Sequence, residues 1–361
     1  MKRYYPLPFL ISVFGILMLG QACIRDRAGG YVWQLGDSQE VVLLDSLHAA
    51  DAIIQDSEED FFDQVQVVDM ALQLHKVFPD SIDRGEVLQA YKLALRREVA
   101  NFDTAEQALL YGIFKEAAVL CNSISTQLLP PHLELTKIKG ELYGEGAYYT
   151  REHCILIPED ELRKANKEEL LKIMLHELFH VYSRYHPQQR EKLYSLIGFH
   201  PFENAIVMKD SLRLRRLLNP DGININYSIR LRTPWGQTIE SVPILYAKEW
   251  KYKAEQPHFF DYLQFELFVA YKQEDGNYAI RSREDGSAPF SLLDQNDFYR
   301  QIGDNTNYII HPDEIMADNF ALLALSKSNR QEYQLSHRSN TGRKLLQDIE
   351  RVLKARNGAQ K

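Results

Sequence analysis

Two histidines and a glutamate fall within five residues, His176-Glu177-Leu178-Phe179-His180, and their types and spacing suit metal-assisted hydrolysis. A helix turns about 100° per residue, so residues four apart lie on one face, one turn apart, and both imidazoles can offer a nitrogen to the same ion. Glu177, next to the first histidine, is displaced around the helix and does not easily share that coordination sphere. It is placed instead to reach a water beside the ion. Two His ligands and a neighbouring carboxylate are what a hydrolytic Zn2+ site requires: the ion lowers the pKa of water and the carboxylate takes its proton.

Catalytic zinc takes a third protein ligand, so a His, Asp, Glu or Cys must come from elsewhere in the chain. Of the eleven glutamates after His180, Glu314 alone is followed by an aspartate four residues on. In the string His311-Pro312-Asp313-Glu314-Ile315-Met316-Ala317-Asp318, Pro312 suits the first turn of a helix, and Glu314 and Asp318 then share a face. Glu314 can complete the site while Asp318 orients a ligand histidine through its other ring N–H. Asp318 itself, Asp313 and His311 are rival ligands, although Pro312 puts His311 ahead of the helix, off the ligand face. Hydrolysis also needs a donor to the developing oxyanion. Tyr308 and His311, just upstream of this helix, are the candidates, with core packing beside Ile309 and Ile310 the competing role for Tyr308.

These side chains need elements to hold them. A helix is predicted from Asn166, which can cap it with Glu169 as the capping-box partner, along an apolar stripe of Leu170, Leu171, Met174, Leu175, Leu178, Val181 and Tyr182 as far as His186-Pro187. A second runs from Pro312 to about Leu325. Residues 146–158 read as a strand, and Tyr227–Arg232, Thr238–Tyr246 and Phe265–Tyr271 as strands of a β-rich insertion at about 222–290. Upstream, 23–40 reads as a polar tether, and 41–130 as a helical N-terminal lobe ended by Pro130-Pro131. The expectation is an α+β chain in which a metallohydrolase domain, 131–330, follows that lobe and precedes a polar C-terminal tail, 331–361.

Composition narrows the class. With 361 residues, 45% hydrophobic and 25% charged, the chain is neither disordered nor collagen-like and can bury a large core. A net charge of −8 without a long cationic run argues against nucleic acid as a partner. Residues 1–22 read as an export signal, Lys2 and Arg3 preceding an apolar stretch that stops before Cys23. The Leu-Gly-Gln-Ala-Cys string resembles a lipoprotein signal, which implies lipidation of Cys23, a membrane anchor at the amino terminus and a place in the cell envelope; plain secretion is the alternative. Export permits a disulfide between Cys121 and Cys154, two buried free thiols being the other reading.

Taken together, H-E-x-x-H and a later E-x-x-x-D resemble the thermolysin-like, or gluzincin, zinc metallopeptidases. That resemblance implies a zincin-like catalytic domain, His176, His180 and Glu314 as metal ligands, Glu177 as general base and Asp318 as the partner of a ligand histidine. It also implies that the strand around residues 147–158, with Tyr149, Thr150 and Arg151, is an edge against which an extended peptide or protein substrate lies. Residues 181–313, between the second histidine and Glu314, are far more than thermolysin has there. The alternative to an exported peptidase is a non-catalytic envelope lipoprotein that keeps the fold and serves as a binding or structural protein.

Overall fold

A computed structural model describes residues 25–355 other than 28, 37, 145, 165, 203, 223–225 and 292–294; the leader and Cys23 lie outside the described residues. Strands β1 (Arg25–Arg27), β2 (Gly30–Gln34) and β3 (Glu40–Leu44) precede helices α1 (Ser46–Ala52), α2 (Phe61–Gln64), α3 (Val67–Gln73) and α4 (Arg84–Glu98). A short β4 (Val99–Ala100) leads into the long α5 (Thr104–Ile124), then β5 (His132–Ile138) and the hairpin of β6 (Tyr149–Arg151) and β7 (Cys154–Pro158). Next come α6 (Glu159–Lys164), α7 (Lys167–Tyr185) and α8 (Pro187–Ser195). A second β block holds β8 (Phe199–Pro201), β9 (Ile206–Val207), α9 (Asp210–Arg213), β10 (Tyr227–Arg232), β11 (Thr238–Ala247), β12 (Leu263–Lys272) and β13 (Tyr278–Arg281). Helices α10 (Asn296–Ile302), α11 (Pro312–Leu325) and α12 (Asn340–Lys354) follow.

The fold is mixed α+β with two sheets. The first has the order β1-β2-β3-β5-β7-β6, with β4 also paired to β5; the β3-β5-β7 centre is parallel. Such a centre must be covered on both faces. Along β7, Ile155 and Ile157 join a core built with α5, α7, α11 and α12, while Cys154 and Leu156 join a second core built with α1, α3 and α4. The second sheet, β8-β10-β11-β12-β13-β9, is antiparallel apart from its last pair. Among the described residues no helix is long and apolar enough to cross a membrane.

Four expectations change. The tether of 23–40 contains β1 and β2, where Trp33 is almost fully buried. The lobe of 41–130 opens on a strand, because Val41 and Leu43 face one core and Val42 and Leu44 the other; its helices then divide between the two faces of the sheet and form no separate lobe. In the tail of 331–361, α12 carries Leu345, Leu346, Ile349 and Leu353 on one buried stripe that the intervening charges mask in the sequence. Cys121 and Cys154 are buried free thiols in the two different cores, with the sheet between them, so they form no disulfide.

Candidate metal centre

Helix α7 starts where Asn166 accepts from the Glu168 and Glu169 N–H groups, which satisfies two of the orphan donors of its first turn. It packs antiparallel to α11, whose first-turn Pro312 follows the capping His311. Almost every side chain of α11 is buried, so its acidic groups need partners. They find them on α7: His176 Nδ1 lies 2.9 Å from Asp318 Oδ1 and His180 Nδ1 2.6 Å from Asp313 Oδ2. Asp313 is held in turn by the Tyr194 hydroxyl at 2.6 Å and the Ser183 hydroxyl at 3.0 Å, and the Thr306 hydroxyl donates to Asp318.

Between the two rings sits Glu314. Its Oε2 is 3.0 Å from His176 Nε2 and 3.4 Å from His180 Nε2. With each Nδ1–H given to its own carboxylate, a neutral imidazole turns a lone pair at Nε2 toward a carboxylate oxygen, and the buried His180 Nε2 has no hydrogen-bond partner. That arrangement suits a metal cation between the three atoms, or a proton on an imidazole in its place. Burial works against a charge on His176, yet the bonds to Asp318 and Glu314 outweigh it and push the imidazolium up to about 9. Burial likewise opposes the Glu314 charge, but the two histidines, His180 foremost, hold its carboxyl well below the usual carboxylate range. His176, His180 and Glu314 offer one ligand atom each within 4.8 Å of one another, a buried group able to hold a metal ion.

Glu177 faces a cleft of about 350 Å³ that His176, Glu314 and Asp318 also line. It is 4% exposed and its Oε2 has no hydrogen-bond partner. Burial first, then the neighbouring Asp221, pushes its carboxyl up to about 8. Much of the remaining wall is apolar and aromatic, including Tyr143, Tyr148, Phe259, Phe260 and Leu263, with Glu161, Lys172, Asn219 and Asp221 as its other polar groups. Tyr308 stands at the mouth, half exposed, its ring centroid 6.1 Å from that of His176.

Two readings of site residues are corrected here. His311 does not line the cleft: its Nδ1 accepts from the Asp313 N–H as the cap of α11, and Gly222 packs so closely on its ring that a Cβ there would come within 2.2 Å. Of the edge-strand trio only Tyr149 reaches the cleft. The Thr150 N–H is donated to Asp221, and the Arg151 guanidinium lies 4.0 Å over the Phe61 ring, in the second core.

Sequence reasoning also missed groups the structure brings in. Asp313, expected only as a rival ligand, bonds His180 through Nδ1, the ring nitrogen turned away from Glu314. Its only local signal is its place in the first turn of α11, next to Glu314. Asn219, whose side-chain amide donates to Glu314 Oε1, and Asp221 come from a loop, residues 219–222, ahead of β10. Asn219-Pro220-Asp221-Gly222 reads only as a turn, so nothing local ties it to helices far away in the chain. No family model, curated protein or solved structure matches this chain.

Proposed function

We propose that the chain is a zinc-dependent metallopeptidase with a zincin-like site, exported to the cell envelope on its leader and held there through Cys23. The observation that carries the reading is the meeting of His176 Nε2 and His180 Nε2 on one oxygen of Glu314, each ring backed by its own carboxylate, beside a buried, unpartnered Glu177. Two imidazoles and one carboxylate are a zinc-type donor set, and carboxylate-backed rings are how ligand histidines are held.

Bound there, zinc supplies Lewis-acid polarisation of a scissile carbonyl and lowers the pKa of a water. Glu177 takes the proton of the attacking water and passes it to the leaving amine; its raised proton affinity and its place in the cleft suit both halves of that task. Asp313 and Asp318 keep both Nδ1 atoms as donors, so both Nε2 atoms stay available. Asn219 fixes the free oxygen of Glu314. The Tyr308 hydroxyl, at the mouth, is the donor for the oxyanion.

Metal analysis of the purified full chain, together with peptide cleavage by Glu177→Gln, tests the reading. One zinc per chain in both forms, with cleavage abolished only in the variant, supports it. Zinc held without cleavage of a diverse peptide mixture by the unaltered chain favours a binding protein instead.

A further inference from the structure

The cleft ends at a wall that this chemistry leaves unused. Asp221 lines the cleft, is 7% exposed, and accepts from both the N–H and the hydroxyl of Thr150, the latter at 2.6 Å. Behind it Arg184 donates to the Thr150 hydroxyl and to the Glu152 carbonyl, each at 2.9 Å, and closes that side. Alternate N–H groups along an edge strand are the rungs an added chain would use. On β6 the Thr150 rung is taken by Asp221, and just before it Tyr148 donates to the Gly146 carbonyl at 3.2 Å. Neither N–H is open to an added strand, so a peptide in the cleft meets Asp221 with its end and not with a ladder along β6.

The stop is a carboxylate. One oxygen of Asp221, one of Glu177 and a ring nitrogen of His180 lie within 4.8 Å of one another, and the unpartnered Glu177 Oε2 belongs to the same pocket. A blind end made of a buried carboxylate suits a cationic chain end and repels an anionic one. Of the two ends of a peptide, the amino end meets this carboxylate favourably, whereas the carboxyl end would press a second carboxylate onto Asp221.

We propose that Asp221 receives the α-ammonium group of the substrate, so that the enzyme is an aminopeptidase removing one residue at a time from a free amino terminus. The inference rests on the metallopeptidase reading above. Its register follows from chain dimensions. An α-nitrogen is about 2.5 Å from its own carbonyl carbon, whereas each further residue adds about 3.3–3.6 Å of extended chain. A carboxylate this close to Glu177 and His180 therefore holds the amine of the residue whose own carbonyl is attacked. The bond broken is the amide between the first and second residues: hydroxide from water stays on the first acyl carbon, the proton goes to the leaving nitrogen, and nothing is oxidised or reduced.

The test compares a peptide bearing a free amino terminus with its N-acetyl twin on the zinc-loaded full chain. Expected is stepwise loss of single amino-terminal residues by mass spectrometry, with kcat/KM about 100-fold or more above that of the acetylated twin. Asp221→Asn keeps an acceptor for Thr150 and should lower kcat/KM for the free-amine peptide by about 30-fold or more, mostly through KM, with zinc content unchanged. Equal cleavage of the acetylated twin, or internal cleavage, overturns the amine site while leaving the peptidase reading intact. A fall in zinc content in Asp221→Asn also overturns it, making Asp221 a metal ligand. Binding of the two peptides to the Glu177→Gln chain as purified decides the matter independently of turnover. Tighter binding of the free amine by about tenfold, lost on adding Asp221→Asn, supports the proposal, and equal binding refutes it.

Discussion

Helices α7 and α11 and the loop of residues 219–222 both reach the same carboxylate, Glu314, but they are held in different ways. The helices are fixed by burial, α7 from Leu170 to Arg184 on its core side and α11 on nearly every face. The loop is strapped from outside. The Leu218 N–H donates to Asp69 at 2.9 Å, the same carboxylate accepts from Gln73, and Arg216 donates to Gln64. The candidate metal ligands and Glu177 thus sit on rigid elements, while Asn219 and Asp221 hang on a strap of a few buried hydrogen bonds. The two regions should fail differently: damage to the helices should cost metal, and damage to the strap should cost stability and substrate handling while leaving metal in place.

The largest expected effect is on the helix side. Glu314→Ala should leave the full chain without stoichiometric zinc and reduce peptide cleavage by about a thousandfold or more, read by metal analysis beside a kinetic assay. Retention of zinc by this variant would break the distinction between helices and loop.

On the strap, Asp69 supplies a pH signature. Burial pushes its carboxyl from 3.8 up to about 6, against the bonds from Leu218 and Gln73. The folded state therefore binds this proton more tightly than the unfolded chain does, and the stabilisation is complete below about pH 4 and lost as pH rises through 6. Relative to Asp69→Asn, the unaltered chain should gain about 2 kcal/mol between pH 7 and pH 4, measured by urea unfolding at stepped pH. A constant difference across that range would remove Asp69 from the strap. At pH 7 the same variant should keep its zinc.

Asp313→Asn should be smaller, because the ring of His180 stays in place but its preferred tautomer changes; zinc affinity should fall by about 10–100-fold in a competition titration. Smallest is Thr306→Val, which removes one bond to Asp318 and should weaken zinc binding by under about fivefold. If Thr306→Val matched Asp313→Asn, the two histidines would not be separately supported.

How much of this could be read in advance follows the same division. The spans of α7 and α11, and β10 at Tyr227–Arg232, are legible because caps, Pro312 and apolar periodicity are local signals. The pairing of His176 and His180 with Glu314 is legible because side-chain spacing on one helix dictates what a neighbouring helix must present. The strand β3 is not, since Val41-Val42-Leu43-Leu44 is apolar at every position and a strand buried on both faces has no alternation to betray it. Helix α12 hides for the opposite reason, its stripe of Leu345, Leu346, Ile349 and Leu353 being diluted by charges that only a helical projection separates. Asn219 and Asp221 are beyond local reading altogether: their role depends on a tertiary approach made possible by Gly222 and by Asp69, far back in the chain.

Zinc K-edge X-ray absorption on the purified full chain and on Glu314→Ala examines the ion-holding trio itself. The expected spectrum of the unaltered chain has two imidazole nitrogens at about 2.0–2.1 Å, carboxylate oxygen and no sulfur, and the variant loses that signature. A chain that takes up no zinc, or one whose spectrum is the same with and without Glu314, would contradict the assignment of His176, His180 and Glu314.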